Sequence, residues 1–125
     1  MEIKRIGRNP SADKSRPRAS QISVHNGVAY FAATPDQPFD AGASVAVQTQ
    51  QLLKRVDERL ASAGSDKSRI LMAHIILSDM RFFAEMNAVW DAWVDQESPP
   101  ARACTAGDLA SPDMKVEVII SAAVK

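Results

Sequence analysis

The stretch Ser68-Arg69-Ile70-Leu71-Met72-Ala73-His74-Ile75-Ile76-Leu77 decides the fold. Leu71, Ala73, Ile75 and Leu77 form one alternating set, and Ile70, Met72 and Ile76 form the other. A segment apolar on both alternating faces, too short for a buried helix, predicts a strand covered on both sides. His74 interrupts the second face and is expected as a hydrogen-bonded structural residue, because no second histidine lies near it to share a metal.

The period changes on both sides of this strand. Upstream, Val45, Thr49, Leu52, Leu53, Val56 and Leu60 recur at three- and four-residue steps, with Gln48, Gln50, Gln51, Lys54, Arg55, Asp57 and Glu58 on the other face. This predicts an amphipathic helix of about six turns, capped by Asp40 and ended at Gly64. Downstream, Ser78-Asp79 opens a second helix, which ends before Ser98-Pro99-Pro100. Its stripe of Phe83, Met86, Trp90 and Trp93, widened by Phe82, Val89 and Val94, is expected to be core.

Further out the chain is β-like. Strands are expected at 2–6, 21–25 and 28–33, the last two joined by Asn26-Gly27, both of which tolerate the positive φ of a type I′ turn. Thr34-Pro35-Asp36-Gln37-Pro38 breaks the pattern. Two closing strands are expected at 101–107, with Arg102, Cys104 and Ala106 on one face, and at 114–124. In the latter, Val116, Val118, Ile120, Ala122 and Val124 form an apolar face. The Ser111-Pro112-Asp113 turn between them predicts an antiparallel pair. The order β-β-β-α-β-α-β-β describes an α+β domain spanning 1–125, one mixed sheet with two helices on one face. Its other face, with Ile119 and Ala123, is too apolar for water and predicts homo-oligomerisation.

Composition removes whole classes. In 125 residues, 15 Lys and Arg balance 15 Asp and Glu, which argues against a protein that lives by gripping nucleic-acid phosphates or a membrane surface. One cysteine excludes an intrachain disulfide framework and points to a reducing compartment. No run approaches the ~20 apolar residues of a bilayer span, and no secretory signal opens the chain. A cytoplasmic protein is expected. Residues 8–20 are locally basic, with Arg8, Lys14, Arg16 and Arg18 against Asp13. That segment is either a solvated loop or a basic lip that attracts anions.

Four polar residues sit where packing alone does not need them. Arg102 follows Pro99-Pro100 among small residues and is either a partnered structural ion or a fork for a carboxylate. Glu117 stands in a β-branched run, where burial would make it a proton acceptor near neutral pH, unless it simply pairs with Lys115 or Arg102. Cys104 shares a strand face with Arg102 and is a small hydrophobe or, less economically, a nucleophile. Asn87 adjoins the aromatic stripe, where a structural hydrogen bond is its simplest use. There is no phosphate loop, no Ser-His-Asp order and no metal-ligand spacing.

At these residues the chain resembles the Rid family, also called the YjgF-type or reactive-intermediate deaminase family. The resemblance runs from about Gln21 to Val124 and is carried by Pro100-Ala101-Arg102-Ala103-Cys104 with Lys115-Val116-Glu117-Val118. Gly64-Ser65-Asp66-Lys67-Ser68, Leu77-Ser78-Asp79-Met80 and Phe83-Ala84-Glu85-Met86-Asn87 support it. It implies a chorismate-mutase-like fold and a homotrimer with active clefts between subunits. It also implies hydrolysis of enamine or imine acids, such as 2-aminoacrylate, to 2-oxo acids and ammonia, without metal or cofactor. By position, Arg102 would hold the substrate carboxylate, Glu117 would position or activate water, and Cys104, Asn87, Ala32 and Thr34 would line the cleft. The family's Gly-Pro-Tyr-Ser-Gln is here Pro17-Arg18-Ala19-Ser20-Gln21, and its Ser-Gly-Gln is Ala32-Ala33-Thr34. A ring and a hydroxyl are thereby missing. A carboxylate-binding module without catalysis is the alternative, followed by RNA cleavage or translation inhibition, which zero net charge and the lack of a histidine pair disfavour.

Overall fold

A computed structural model describes residues 2–9 and 17–125, and the basic-loop residues Asp13, Lys14 and Arg16 lie outside them. Six strands, β1 (Lys4–Ile6), β2 (Ile22–His25), β3 (Val28–Ala33), β4 (Ile70–Leu77), β5 (Ala101–Ala106) and β6 (Val116–Ala123), form one sheet in the order β1-β2-β3-β6-β4-β5. Helices α1 (Val45–Ser62) and α2 (Phe83–Trp93) complete the expected element order. All pairings are antiparallel except β4 with β5. At the β2–β3 hairpin Asn26 and Gly27 take φ values of 54° and 80°, the positive pair that the two-residue turn requires.

The last two strands do not pair. β6 inserts between β3 and β4, and β5 joins β4 in parallel after the α2 crossover. The wholly apolar face of β6 explains this, because a strand so apolar is best buried centrally, whereas β5, with Arg102 and Thr105, suits an edge.

The core lies between the sheet and both helices. Ala29, Phe31, Ala73, Ile75, Val116, Val118 and Ile120 meet Leu52, Leu53, Val56 and Leu60 of α1 and Met86 and Trp90 of α2, all buried. In β4 a register shift sets Ile70 opposite Ala122 and Met72 opposite Ser121, so Leu71 is an extra residue. Ile70 therefore turns inward, while Leu71, expected on the Ala73 face of a strand covered on both sides, is exposed.

Helix α1 starts later than its periodicity predicts. Ser44, not Asp40, is the cap, its side chain accepting from the Val47 amide, while Asp40 bonds the Gly42 amide in the preceding turn. Gly64 follows the C-cap with φ 77°, as expected of a terminator. Helix α2 is also shorter. Asp79 caps a single 3₁₀ turn, Met80–Phe82, before Phe83, and Val94 ends the helix. Of its widened stripe Met86, Trp90 and Val94 are buried in the core, whereas Phe83 is 38% exposed.

Gln48, assigned by period to the polar face of α1, is instead buried. Its amide donates to the Asp40 and Asp113 carbonyls (both 3.0 Å) and accepts from the Lys115 amide at 2.8 Å. The Lys115 ammonium donates to the carbonyls of Ala41 and Ala43. Together they clasp the segment before α1 to the start of β6. Gln48→Ala leaves three backbone groups unmet, each worth about 1–3 kcal/mol in part, so a loss of about 3 kcal/mol is expected. Urea unfolding at fixed chain concentration checks it, with Gln48→Met, which restores volume but not hydrogen bonds, losing nearly as much.

Candidate active site

Alternation and register place the four polar residues on different faces. Arg102 and Cys104 pair with Ala73 and Ile75, whose side chains are in the core, so both lie on the helix side of edge strand β5. There the Arg102 guanidinium carbon sits 5.5 Å from the Trp90 ring centroid and 5.8 Å from that of Phe83. Those distances suit cation–π contact. Among the described residues Arg102 has no carboxylate partner and makes no side-chain hydrogen bond, so the structural ion pair expected as one alternative is not there.

Asn87 lies on α2 four residues after Phe83 and three before Trp90, hence on the same helical stripe. Its Oδ1 is buried with no hydrogen-bond partner among the described residues. The structural hydrogen bond expected for it is absent, and a buried unmet acceptor is costly. Phe83 and Trp90 are residues that periodicity assigned wholly to core, yet they make the aromatic bed of Arg102. The spacing that puts them on one stripe with Asn87 was visible, but that β5 passes beneath this stripe was not.

Burial pushes the Cys104 thiol upward, a rise partly opposed by the Arg102 charge. A thiol held protonated is a poor nucleophile.

Glu117 lies on the opposite side of the sheet. Its neighbours Val116 and Val118 are in the core, so Glu117 shares the other face with Ile119 and Ser121. It is half-buried, and desolvation raises its carboxyl above the ordinary carboxylate range. The expected alternative, pairing with Lys115 or Arg102, fails: Lys115 is spent on the Ala41 and Ala43 carbonyls, and Arg102 faces the helices. Glu117 pairs in register with Ile76 and Arg102 with Ala73, on strands two apart. Strand spacing and rise put their Cα atoms about 14 Å apart, with side chains on opposite faces. One small ligand therefore cannot touch both within a single chain.

Ala32 shares the Glu117 face, opposite Ile119. Ala32 and Thr34 also border a cleft of about 350 Å³ that contains Arg55 and Arg59, not Arg102. A larger cleft of about 610 Å³ lies between α1 and α2. Several of its polar groups serve the fold: Trp93 donates to Asp57, and Lys67 donates to the Trp93 carbonyl while lying over the Trp93 ring. On the open face, His74 Nε2 and Thr105 Oγ1 share a 2.8 Å hydrogen bond, as expected of a structural histidine. Tyr30, Met72 and Ile119 are exposed there by 51, 38 and 46%. Among the described residues no group of three His, Cys, Asp or Glu could hold a metal, and no helix is long and apolar enough to cross a membrane.

Known proteins with this geometry agree with one another. A RutC family protein of Haemophilus influenzae is 45% identical over 123 residues, covering 98% of both chains. The RutC family protein YoaB of Escherichia coli is 41% identical over 86% of this chain and 91% of its own. A crystal structure of a YjgF-family protein from Neisseria meningitidis superimposes with a TM-score of 0.84 at 36% identity, covering 100% of this chain and 97% of that one. The family described as endoribonuclease L-PSP matches residues 12–124. With this fold and these relatives, the chain belongs to the YjgF/RutC (endoribonuclease L-PSP) family, the Rid family of the sequence resemblance.

Proposed function

We propose that the protein is a deaminase of reactive imine and enamine acids, working in clefts between the copies of a homotrimer. The observation that carries this is the Arg102 guanidinium, braced on two aromatic rings and free of any carboxylate among the described residues. A fork held in this way is pre-organised for a small carboxylate. The exposed apolar side chains of the open face supply a reason to assemble. Assembly is also what allows Glu117 of one copy, with Ala32 and Thr34, to approach Arg102, Cys104 and Asn87 of another.

The chemistry then asks little of the protein. Water adds to the electrophilic imine carbon, and Glu117 accepts its proton. The nitrogen takes that proton to give the carbinolamine, whose hydroxyl proton then passes through Glu117 to the amine as the C–N bond breaks, releasing ammonia and the 2-oxo acid. An enamine first takes a proton at carbon and gives one up from nitrogen to become the imine. Orientation of two reactants and one proton transfer account for the rate, and no cofactor is called for.

The test couples a source of 2-aminoacrylate to ammonia release. Faster release with the protein supports the proposal, and Cys104→Ala is expected to stay within about fivefold of wild type, since a wall residue contributes only packing. Release no faster than the uncatalysed rate defeats it. One observation favours a second reading, a carboxylate-binding module without catalysis: Ala19 and Ala32 stand where the family's deaminases carry a ring and a hydroxyl. Saturable binding of a 2-oxo acid together with a failed ammonia assay would select it. RNA cleavage, which the family's description names, has no support in the balanced charge.

A further inference from the structure

The second cleft carries its own chemistry. Arg55 and Arg59 stand one turn apart on α1, a spacing at which like charges repel. Both line the 350 Å³ cleft with Ser20, Gln21, Thr34 and Gln37, and both line an adjoining cleft of about 240 Å³ with Gln21 and Glu58. Arg55 has a partner, Asp36, at 3.2 Å. Among the described residues Arg59 has none: its Nε and Nη1 are buried and donate no hydrogen bond. Desolvation and the Arg55 charge both depress its pKa, and the nearby Glu58, exposed to water, only partly offsets them. A guanidinium withdrawn from water with unmet donors is costly. Two cations, one of them unneutralised, face a cleft whose Ser20 and Gln37 side chains also make no hydrogen bond among the described residues.

We propose that this cleft is an anion-binding subsite, in which Arg59 and Arg55 hold the carboxylate or phosphate group of a small molecule. The missing acceptor for Arg59 is then the ligand itself. Ser20 and Gln37 supply adaptable polar contacts, and the exposed Arg18 on the described end of the basic stretch adds attraction at the mouth. Within one chain the subsite is separated from Arg102, which lies on β5 with β6 and β4 between it and β3. It stands apart from the deaminase proposal, since anion binding is measured with no reaction taking place.

Titration calorimetry at low ionic strength, with inorganic phosphate and separately with succinate, tests it. Saturable binding of at least one probe is expected, and the tighter of the two identifies the anion class. Measured in the Arg102→Ala background, so that the carboxylate fork of the proposed active site does not contribute, Arg59→Met should weaken that binding at least tenfold and Arg55→Met several-fold. Thermal unfolding gives a second readout. Without anion, Arg59→Met should melt higher than wild type, because it removes a half-buried charge that has no partner among the described residues, and the bound anion should raise the melting temperature of wild type more than that of the variant. No saturable binding of either probe overturns the proposal. So does binding unaffected by Arg59→Met, or a lower melting temperature for Arg59→Met without anion, which would mark Arg59 as a structural residue satisfied within the assembly.

Discussion

Arg102→Ala is expected to lower kcat/KM for imine hydrolysis by about 10²–10³-fold, about 3–4 kcal/mol of transition-state stabilisation. A charge-assisted fork is roughly twice as strong as a neutral hydrogen bond, and the ring faces of Phe83 and Trp90 hold it in place. Arg102→Lys should recover only part of the loss, because an ammonium keeps the charge but neither the fork nor the planar stacking. The fold should be spared. Arg102 sits on an edge strand and its removal strands no carboxylate among the described residues, so unfolding midpoints should hardly move. Steady-state kinetics over a range of imine concentrations decides the matter. A fall of less than about threefold in Arg102→Ala would end the assigned role, since it is less than a single charged hydrogen bond supplies.

Glu117→Gln is expected to cut kcat by about 10²–10⁴-fold while leaving KM close to wild type, as for the loss of a positioned proton acceptor. The pH profile carries the sign. Glu117 must be ionised to take a proton, and burial raises its pKa, so activity should fall with acidification at a pH above the ordinary glutamate range. In Glu117→Gln that acid limb should vanish from the residual rate. A limb that persists unchanged would assign it to another group.

Mixing the two inactive proteins adds a test that the sheet geometry makes specific. Arg102 and Glu117 face opposite sides within a chain, so a working cleft takes them from different copies. Chains of Arg102→Ala and Glu117→Gln, unfolded together and refolded, should regain activity, with about a quarter of the clefts in random assemblies receiving both intact residues. Mixtures as inactive as their parents would show that one chain supplies both.

These expectations combine two kinds of information. Local period and turn chemistry were legible without a structure: the element order, the Asn26-Gly27 hairpin, both helices and the Gly64 terminator follow from interactions over a few residues. The residues proposed for the chemistry were picked out in the sequence because Arg102, Glu117 and Asn87 stand among apolar or small neighbours and Cys104 shares a strand face with Arg102. Only tertiary structure decided what they face. Strand pairing joins residues far apart in sequence, so neither the insertion of β6 between β3 and β4 nor the parallel edge at β5 is written in any local period. The same holds for Gln48, polar by period but buried because a distant loop returns to meet its amide. Arg59 belongs here as well, since its unmet donors appear only when residues 17–21, before β2, meet α1 across the cleft. What the sequence determined by itself was which side chains share a face; which faces meet, and which cations go unmatched, was settled by burial between distant segments.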